Sequence, residues 1–283
     1  MTIKDIHQQI LSSLNNLYPE KEVKNFSYLI LNSIFNYSRY QIHENFEKPV
    51  NESQYAKIKN IVEELKIYKP IQYIFKKTEF YNCMLSVTED VLIPRPETEE
   101  LVDWIIQDQP KEGSYILDIG TGSGCIAISL AKNLPHSRVS AMDISQKAIK
   151  IASSNAVENS TEINLFQGDI FNLPKEIKTN QFDIIVSNPP YVRESEKALM
   201  KPNVLDWEPE ISLFVPDEDP LIFYKEIIRM ASKSLISNGQ IFLEINEVFP
   251  EEIKNILAKY KFASIEIRKD ISGKSRMVKA VKK

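Results

Sequence analysis

The sequence predicts an α/β fold, in which a mostly parallel β-sheet is covered by helices on both faces and preceded by a small helical bundle. Three observations carry that expectation. Apolar residues recur every three to four positions up to about residue 74; β-branched and aromatic residues alternate over residues 78–93; and from Pro94 onward strand-length apolar runs alternate with helix-length ones. Strands that alternate with helices build parallel sheets between helical layers. With 283 residues, 43% hydrophobic and 26% charged, the chain is long enough for two unequal cores, since domains usually run to ~100–200 residues.

In chain order, Ile6, Ile10, Leu14 and Leu17, then Leu29, Ile30, Ile34 and Phe35, then Ile58, Ile61, Val62 and Leu65 mark helical faces. Pro19, Pro49 and Pro70 punctuate them, which predicts three or four short helices within a first domain, residues 1–77. Residues 78–93, where Leu85 and Val87 alternate, predict a hairpin linker. Residues 94–283 form the larger domain. There a helix over 99–107 leads into strands at Tyr115–Ile119, 139–142, 163–166, Phe182–Ser187, 240–245, 263–268 and 277–281, with helices at 125–134, Gln146–Glu158, 220–235 and 250–260. No helix separates the last two strands, which predicts an antiparallel pair at the sheet edge.

The formal net charge of −4 and pI near 5.6 argue against a protein that grips nucleic acid mainly through its phosphates. The opening residues, Met1 to Gln8, lack the apolar core of a signal peptide, and no apolar run approaches the ~18 residues of a membrane span. The expectation is a cytoplasmic protein, taken as a monomer, with neither a direct nucleic-acid partner nor a membrane partner. The two cysteines, Cys83 and Cys125, read as reduced thiols, because a disulfide at Cys125 would obstruct a glycine-rich turn. The three histidines, His7, His43 and His136, pair with no ligand-forming residue at metal spacing, so no metal is expected.

Two segments carry chemistry. The first, Gly120-Thr121-Gly122-Ser123-Gly124, comes directly after the first strand of the larger domain and opens a helix. In open α/β sheets ligands bind at such strand ends, where glycines allow close backbone approach and the helix N-terminus offers free N–H groups. The spacing lacks the last glycine of a dinucleotide fingerprint, because Cys125 stands in its place. It resembles instead the turn of seven-stranded methyltransferases that holds the methionine part of S-adenosyl-L-methionine. Asp143, ending the second strand, is the acidic residue placed to bond both ribose hydroxyls. Asp169, ending the third, could accept the adenine amino group while Ile170 or Phe171 covers the ring. The plainer alternative is a tight turn with helix-capping aspartates.

The second segment, Asn188-Pro189-Pro190-Tyr191, ends the fourth strand on the same rim. Two prolines fix φ and remove two N–H donors, leaving a stiff loop rich in carbonyl acceptors that suits an NH₂ substrate. The lone pair of an amide nitrogen is delocalised, so orientation must supply much of the catalysis. The Asn188 side-chain oxygen and the Pro189 carbonyl can each accept one N–H, fixing the nitrogen in line with the methyl donor, a task that places Asn188 on the cofactor side as well. Pro190 stiffens the substrate contact, and Tyr191 can pack its ring on the flat amide. The competing reading is an ordinary Asn-Pro turn followed by a packing aromatic.

Together with Pro70-Ile71-Gln72-Tyr73-Ile74, Glu79-Phe80-Tyr81, the Val91 to Glu99 run and Trp207-Glu208-Pro209-Glu210, these residues resemble the release-factor glutamine N5-methyltransferases, the PrmC/HemK family, from about Lys69 to the end. Ile93-Pro94-Arg95-Pro96-Glu97-Thr98 is the most specific signal. The resemblance implies a helical domain that docks class 1 peptide chain release factors, a hairpin linker, and a seven-stranded Rossmann-like catalytic domain dependent on S-adenosyl-L-methionine. That domain would methylate the glutamine of the partner's Gly-Gly-Gln motif, release S-adenosyl-L-homocysteine and support translation termination. By the same resemblance, Arg95 to Thr98 would line the cofactor cleft. Lys76 and Asn246 stand where the family often has glycine, and Ile170 where many members have tryptophan. Three other readings remain: a ribosomal-protein glutamine as acceptor, an adenine or cytosine amino group of nucleic acid, or a non-catalytic scaffold that binds the cofactor.

Overall fold

The structure is a computed structural model that describes residues 1–179 and 181–283. The chain divides into two compact units. The first comprises Met1–Phe75 with Pro202–Trp207, and the second comprises Lys76–Lys201 with Glu208–Lys283.

The first unit is helical: α1 (Ile3–Leu14), α2 (Glu20–Phe35), α3 (Arg39–Glu44), α4 (Glu52–Lys66) and α5 (Ile71–Phe75). Thr2, Ser38 and Asn51 start α1, α3 and α4 through reciprocal capping bonds with Asp5, Gln41 and Gln54. Pro19 is the N-cap of α2, and Pro70 precedes α5. The predicted periodic positions fill the core, with Ile6, Leu14, Ile30 and Leu65 fully buried, each contributing roughly 1.5–3 kcal/mol. α3 and α5 are too short for a periodicity to announce them.

The second unit opens with the hairpin β1 (Lys77–Phe80) and β2 (Cys83–Ser86), which turns through Tyr81 and Asn82, both left-handed at φ 44° and 59°. Such a turn matches the strand twist. Glu99 accepts the Tyr81 N–H at 2.8 Å, and the Tyr81 hydroxyl donates to Asp103 at 3.0 Å. Both acids lie on α6 (Pro96–Gln107). Next come β3 (Tyr115–Ile119), α7 (Cys125–Asn133), β4 (Arg138–Asp143), α8 (Gln146–Glu158), β5 (Ile163–Gln167), α9 (Lys175–Thr179), β6 (Phe182–Ser187), β7 (Val192–Arg193), β8 (Phe214–Val215), α11 (Ile222–Ser234), β9 (Leu235–Glu244), α12 (Pro250–Lys259), β10 (Phe262–Lys269) and β11 (Ser275–Lys282); the short α10 (Pro202–Leu205) belongs to the first unit.

Seven strands form one sheet in the order β10-β11-β9-β6-β3-β4-β5. β9, β6, β3, β4 and β5 run parallel, while β11 pairs antiparallel with both β9 and β10. The predicted antiparallel pair is therefore present, with β10 at the edge. Side chains alternate across the sheet: Leu117, Ile119 and Ile185 face a core completed by α11 and α12, and Ile116, Ile184 and Val186 face one completed by α6 and α7. The chain steps from β3 outward to β5 and then crosses to β6 on the other side of β3, which opens a crevice at the carboxyl ends of these strands. β9 begins five residues before the predicted start at Gln240, because Leu235 already pairs with Phe182; Asn238, at φ 63°, and Gly239 lie in a bulge before the pairing resumes at Gln240. No helix among the described residues is long and apolar enough to cross a membrane.

Candidate active site

The crevice holds a cleft of about 220 Å³, lined by the ends of β3, β4, β5 and β6. Gly120, Gly122, Asp143, Asp169, Ile170, Asn188, Pro189 and Pro190 all line it. Residues separated by up to seventy positions thus meet on one rim.

The glycine turn divides its work. Gly120 and Gly122 are left-handed, at φ 73° and 54°, and a Cβ at either would meet nothing within 4 Å, so both leave the cleft wall open for a close ligand approach. Gly124, also left-handed, serves packing: a Cβ there would lie 2.9 Å from Ile128 Cδ1 and 3.1 Å from Ala152 Cβ. Thr121 and Ser123 are buried and do not line the cleft. The Thr121 hydroxyl donates to Asp118 at 2.6 Å. Burial pushes the Asp118 carboxyl up to about 7, opposed by that hydroxyl and by the Ala127 N–H. Asn155, fully buried on α8, donates to the Ser123 carbonyl at 2.8 Å and exchanges two bonds with the Ser86 backbone, tying the turn to the hairpin.

Asp143 accepts the Gly122 N–H at 2.9 Å through one oxygen and the Ser145 N–H at 2.8 Å through the other. Each oxygen keeps a lone pair for a further donor. Burial raises the pKa of this carboxyl, against the pull of these N–H groups. Farther along the rim, Asp169 accepts the Phe171 N–H at 2.9 Å. Ile170 is buried into the core and still reaches the cleft, whereas Phe171 is half exposed and faces Phe223 with ring centroids 5.6 Å apart. An apolar slot therefore has Ile170, Phe171 and Phe223 in its walls. Gly168 admits Pro174 there, which a Cβ would meet at 2.6 Å.

The 188–191 loop is held by side chains from distant elements. Asn188 Nδ2 donates to Thr98 Oγ1 at 3.1 Å, and the Thr98 hydroxyl donates to Glu244 at 2.6 Å. Tyr191 does not line the cleft; its hydroxyl donates to Glu244 at 2.9 Å, and its carbonyl accepts from Asn246 Nδ2 at 3.0 Å. Burial and the neighbouring Glu244 charge push the Tyr191 hydroxyl far above its usual range. Asn246, where the family often has glycine, thus supports the loop.

Arg95 to Thr98 lie outside the lining, and residues 90–92 take that place. Arg95 instead bonds the buried Glu208 at 2.5 Å, and Glu208 also accepts the Ile93 N–H at 3.3 Å. Two of the family-like segments are thereby joined. Sequence reasoning missed Asp90 to Leu92, Ile211, Ser212, Phe223 and Ile227 in the lining; each is an ordinary apolar or polar residue whose role comes only from chain crossing. Cys83 and Cys125 are free thiols, and no group of metal-ligating side chains occurs among the described residues.

The signature of the Methyltransferase small domain family matches residues 98–203. The release factor glutamine methyltransferase of Flavobacterium psychrophilum is 44% identical over 283 residues, 99% of each chain, and that of Bacteroides thetaiotaomicron is 42% identical over 96% of this chain and 97% of the other. Among solved structures, a methyltransferase from Pyrococcus furiosus superposes with a TM-score of 0.53 at 18% identity, over 82% of this chain and 99% of that one. A T. thermophilus 16S rRNA methyltransferase, solved with AdoMet and guanosine, gives 0.52 at 16% identity over 73% and 50%. These two likenesses bear on the fold alone.

Proposed function

This chain belongs to the release factor glutamine methyltransferase family, and on that premise we propose that it methylates the side-chain N5 of the glutamine in the Gly-Gly-Gln motif of class 1 peptide chain release factors. S-adenosyl-L-methionine supplies the sulfonium-bound methyl group. The observation that carries the reading is the Asn188 amide, whose Nδ2 is engaged with Thr98 while its Oδ1 has no partner among the described residues, on a residue of the cleft wall.

The residues present fit such a donor. The open backbone at Gly120 and Gly122 admits its methionine part, the spare lone pairs of Asp143 suit two ribose hydroxyls, and Asp169 beside the Ile170, Phe171 and Phe223 walls suits a flat base carrying an amino group. On the acceptor side, Asn188 Oδ1 and the Pro189 carbonyl each take one N–H of the substrate amide. Those two bonds orient the nitrogen and stabilise the positive charge that grows on it during transfer. Pro190 stiffens this contact. Tyr191, bonded to Glu244, braces the loop from behind.

In the same reading residues 1–77 dock the release factor, 78–93 link, and 94–283 catalyse. The protein works as a cytoplasmic monomer without a nucleic-acid partner, consistent with its net charge of −4. The test is to incubate it with donor and purified release factors and map modified peptides by mass spectrometry. The expected result is one methyl on the motif glutamine. Methyl groups on nucleic acid or on a ribosomal protein, with the release factor unmodified, would overturn the reading.

A further inference from the structure

The buried carboxylate of Glu244 touches neither the donor side nor the acceptor side of the cleft, yet both ends of the 188–191 loop converge on it. Glu244 ends β9 and is 1% exposed. Its Oε1 accepts the Tyr191 hydroxyl and its Oε2 the hydroxyl of Thr98, itself 2% exposed at the start of α6. Burial pushes the Glu244 carboxyl up, while these two hydroxyls and the Arg276 charge favour its ionised form.

Proton counting fixes the orientation of the Asn188 amide. Each Glu244 oxygen is the acceptor of one hydroxyl, Oε2 from Thr98 and Oε1 from Tyr191, and a threonine hydroxyl has one proton to give. With that proton directed at Glu244, 2.6 Å away, Thr98 can offer Asn188 nothing but a lone pair. Only the NH₂ end of the Asn188 amide can meet a lone pair, so Nδ2 turns toward Thr98 and Oδ1 turns away. The tilt of a side chain that could otherwise flip with little change of shape is set by a carboxylate two bonds away in the hydrogen-bond chain.

We propose that Thr98 and Glu244 are positioning residues that lock the polarity of the Asn188 amide and thereby make the site select a carboxamide over a carboxylate. The proposal rests on the reading of Asn188 as the acceptor of the substrate N–H. Glutamine and glutamate side chains are nearly the same shape. Two fixed carbonyl oxygens, Asn188 Oδ1 and the Pro189 carbonyl, attract an NH₂ group and repel a carboxylate. An Asn188 amide turned over would present an N–H instead and welcome the carboxylate.

Three variants test this. Thr98→Val keeps the shape and removes the hydroxyl; Glu244→Gln can donate an N–H to Thr98, so that Thr98 donates to Asn188 Oδ1 and inverts the amide; Thr98→Ser keeps the relay. Glutamine methylation should fall about 10- to 100-fold in the first two, the scale typical of lost supporting bonds, and recover in Thr98→Ser. The decisive readout is inhibition by a release factor carrying glutamate in place of the motif glutamine. It should strengthen in Thr98→Val and Glu244→Gln relative to the unaltered protein, while S-adenosyl-L-methionine affinity stays constant. A merely structural role would weaken donor binding and both acceptors together, and that result would overturn the relay. If Glu244→Gln fails to fold, Thr98→Val carries the test. If Asn188→Ala is inactive while Thr98→Val and Glu244→Gln behave as the unaltered protein, the relay alone falls. If Asn188→Ala methylates normally, the reading of the loop falls first.

Discussion

The two walls of the cleft are built by opposite means. The 120–124 turn is main chain: its left-handed glycines shape it, and its bonds run to adjacent strands and helices, as from Gly122 to Asp143 and from Ser123 to Asn155. The 188–191 loop depends on side chains brought from far along the sequence, Thr98 from α6, Glu244 from β9 and Asn246 just after it. A wall of backbone tolerates most side-chain changes but not a misplaced Cβ. A wall of side chains tolerates neither the loss nor the reversal of one polar group.

Substitutions in each wall put that contrast to the test. The largest effect belongs to Asn188→Ala, which should lower turnover by roughly 10²–10³-fold, the scale for losing one preorganised transition-state contact; steady-state kinetics with a release factor as acceptor checks it. Next comes Gly124→Ala, which combines a left-handed backbone with contacts of 2.9 and 3.1 Å and should cost about 2–3 kcal/mol in denaturant unfolding. Gly122→Ala, with open space around its Cβ, should cost only about 1 kcal/mol and show its damage in donor binding instead. Equal destabilisation at both glycines would erase the division of labour within the turn.

An effect on the scale of Gly124→Ala, read in binding instead of stability, is expected from Asp143→Ala, which removes the acceptor of the Gly122 and Ser145 N–H groups and should weaken donor affinity by roughly 10- to 100-fold, as for a lost charged hydrogen bond. The last effect is on a slope. The Asp118 carboxyl titrates near 7 in the fold against a reference of 3.8, so the folded protein holds the extra proton between those values. Stability from this group is present at low pH, declines as pH rises through that window and is level above it. Asp118→Asn should flatten the decline in unfolding measured from pH 4 to pH 8; an unchanged slope would mean that Asp118 is ionised throughout.

The same contrast explains what could be read in the sequence. The strand ends, the glycine turn and the 188–191 loop are local patterns, and each stands where the sequence predicted within the sheet. Thr98 was legible only as part of a family-like run, and its bond to Glu244 spans 146 positions. No periodicity encodes such a pairing. Phe223 lies on α11 like any amphipathic-helix residue, and only the docking of that helix beside Phe171 brings it to the cleft. The early start of β9 was hidden for another reason: Leu235 pairs with Phe182, but the register then jumps to Gln240 opposite Ile184, and the intervening residues, with Asn238 left-handed at φ 63°, form a bulge. Local torsional preference interrupts the pairing there without ending the strand.

The proposed function divides the cleft, giving the turn side to the donor and the loop side to the acceptor. The most direct measurement is a calorimetric titration of S-adenosyl-L-methionine into the Asn188→Ala protein. Donor affinity should stay close to that of the unaltered protein in a variant that cannot methylate. Affinity that falls in step with turnover would contradict the division.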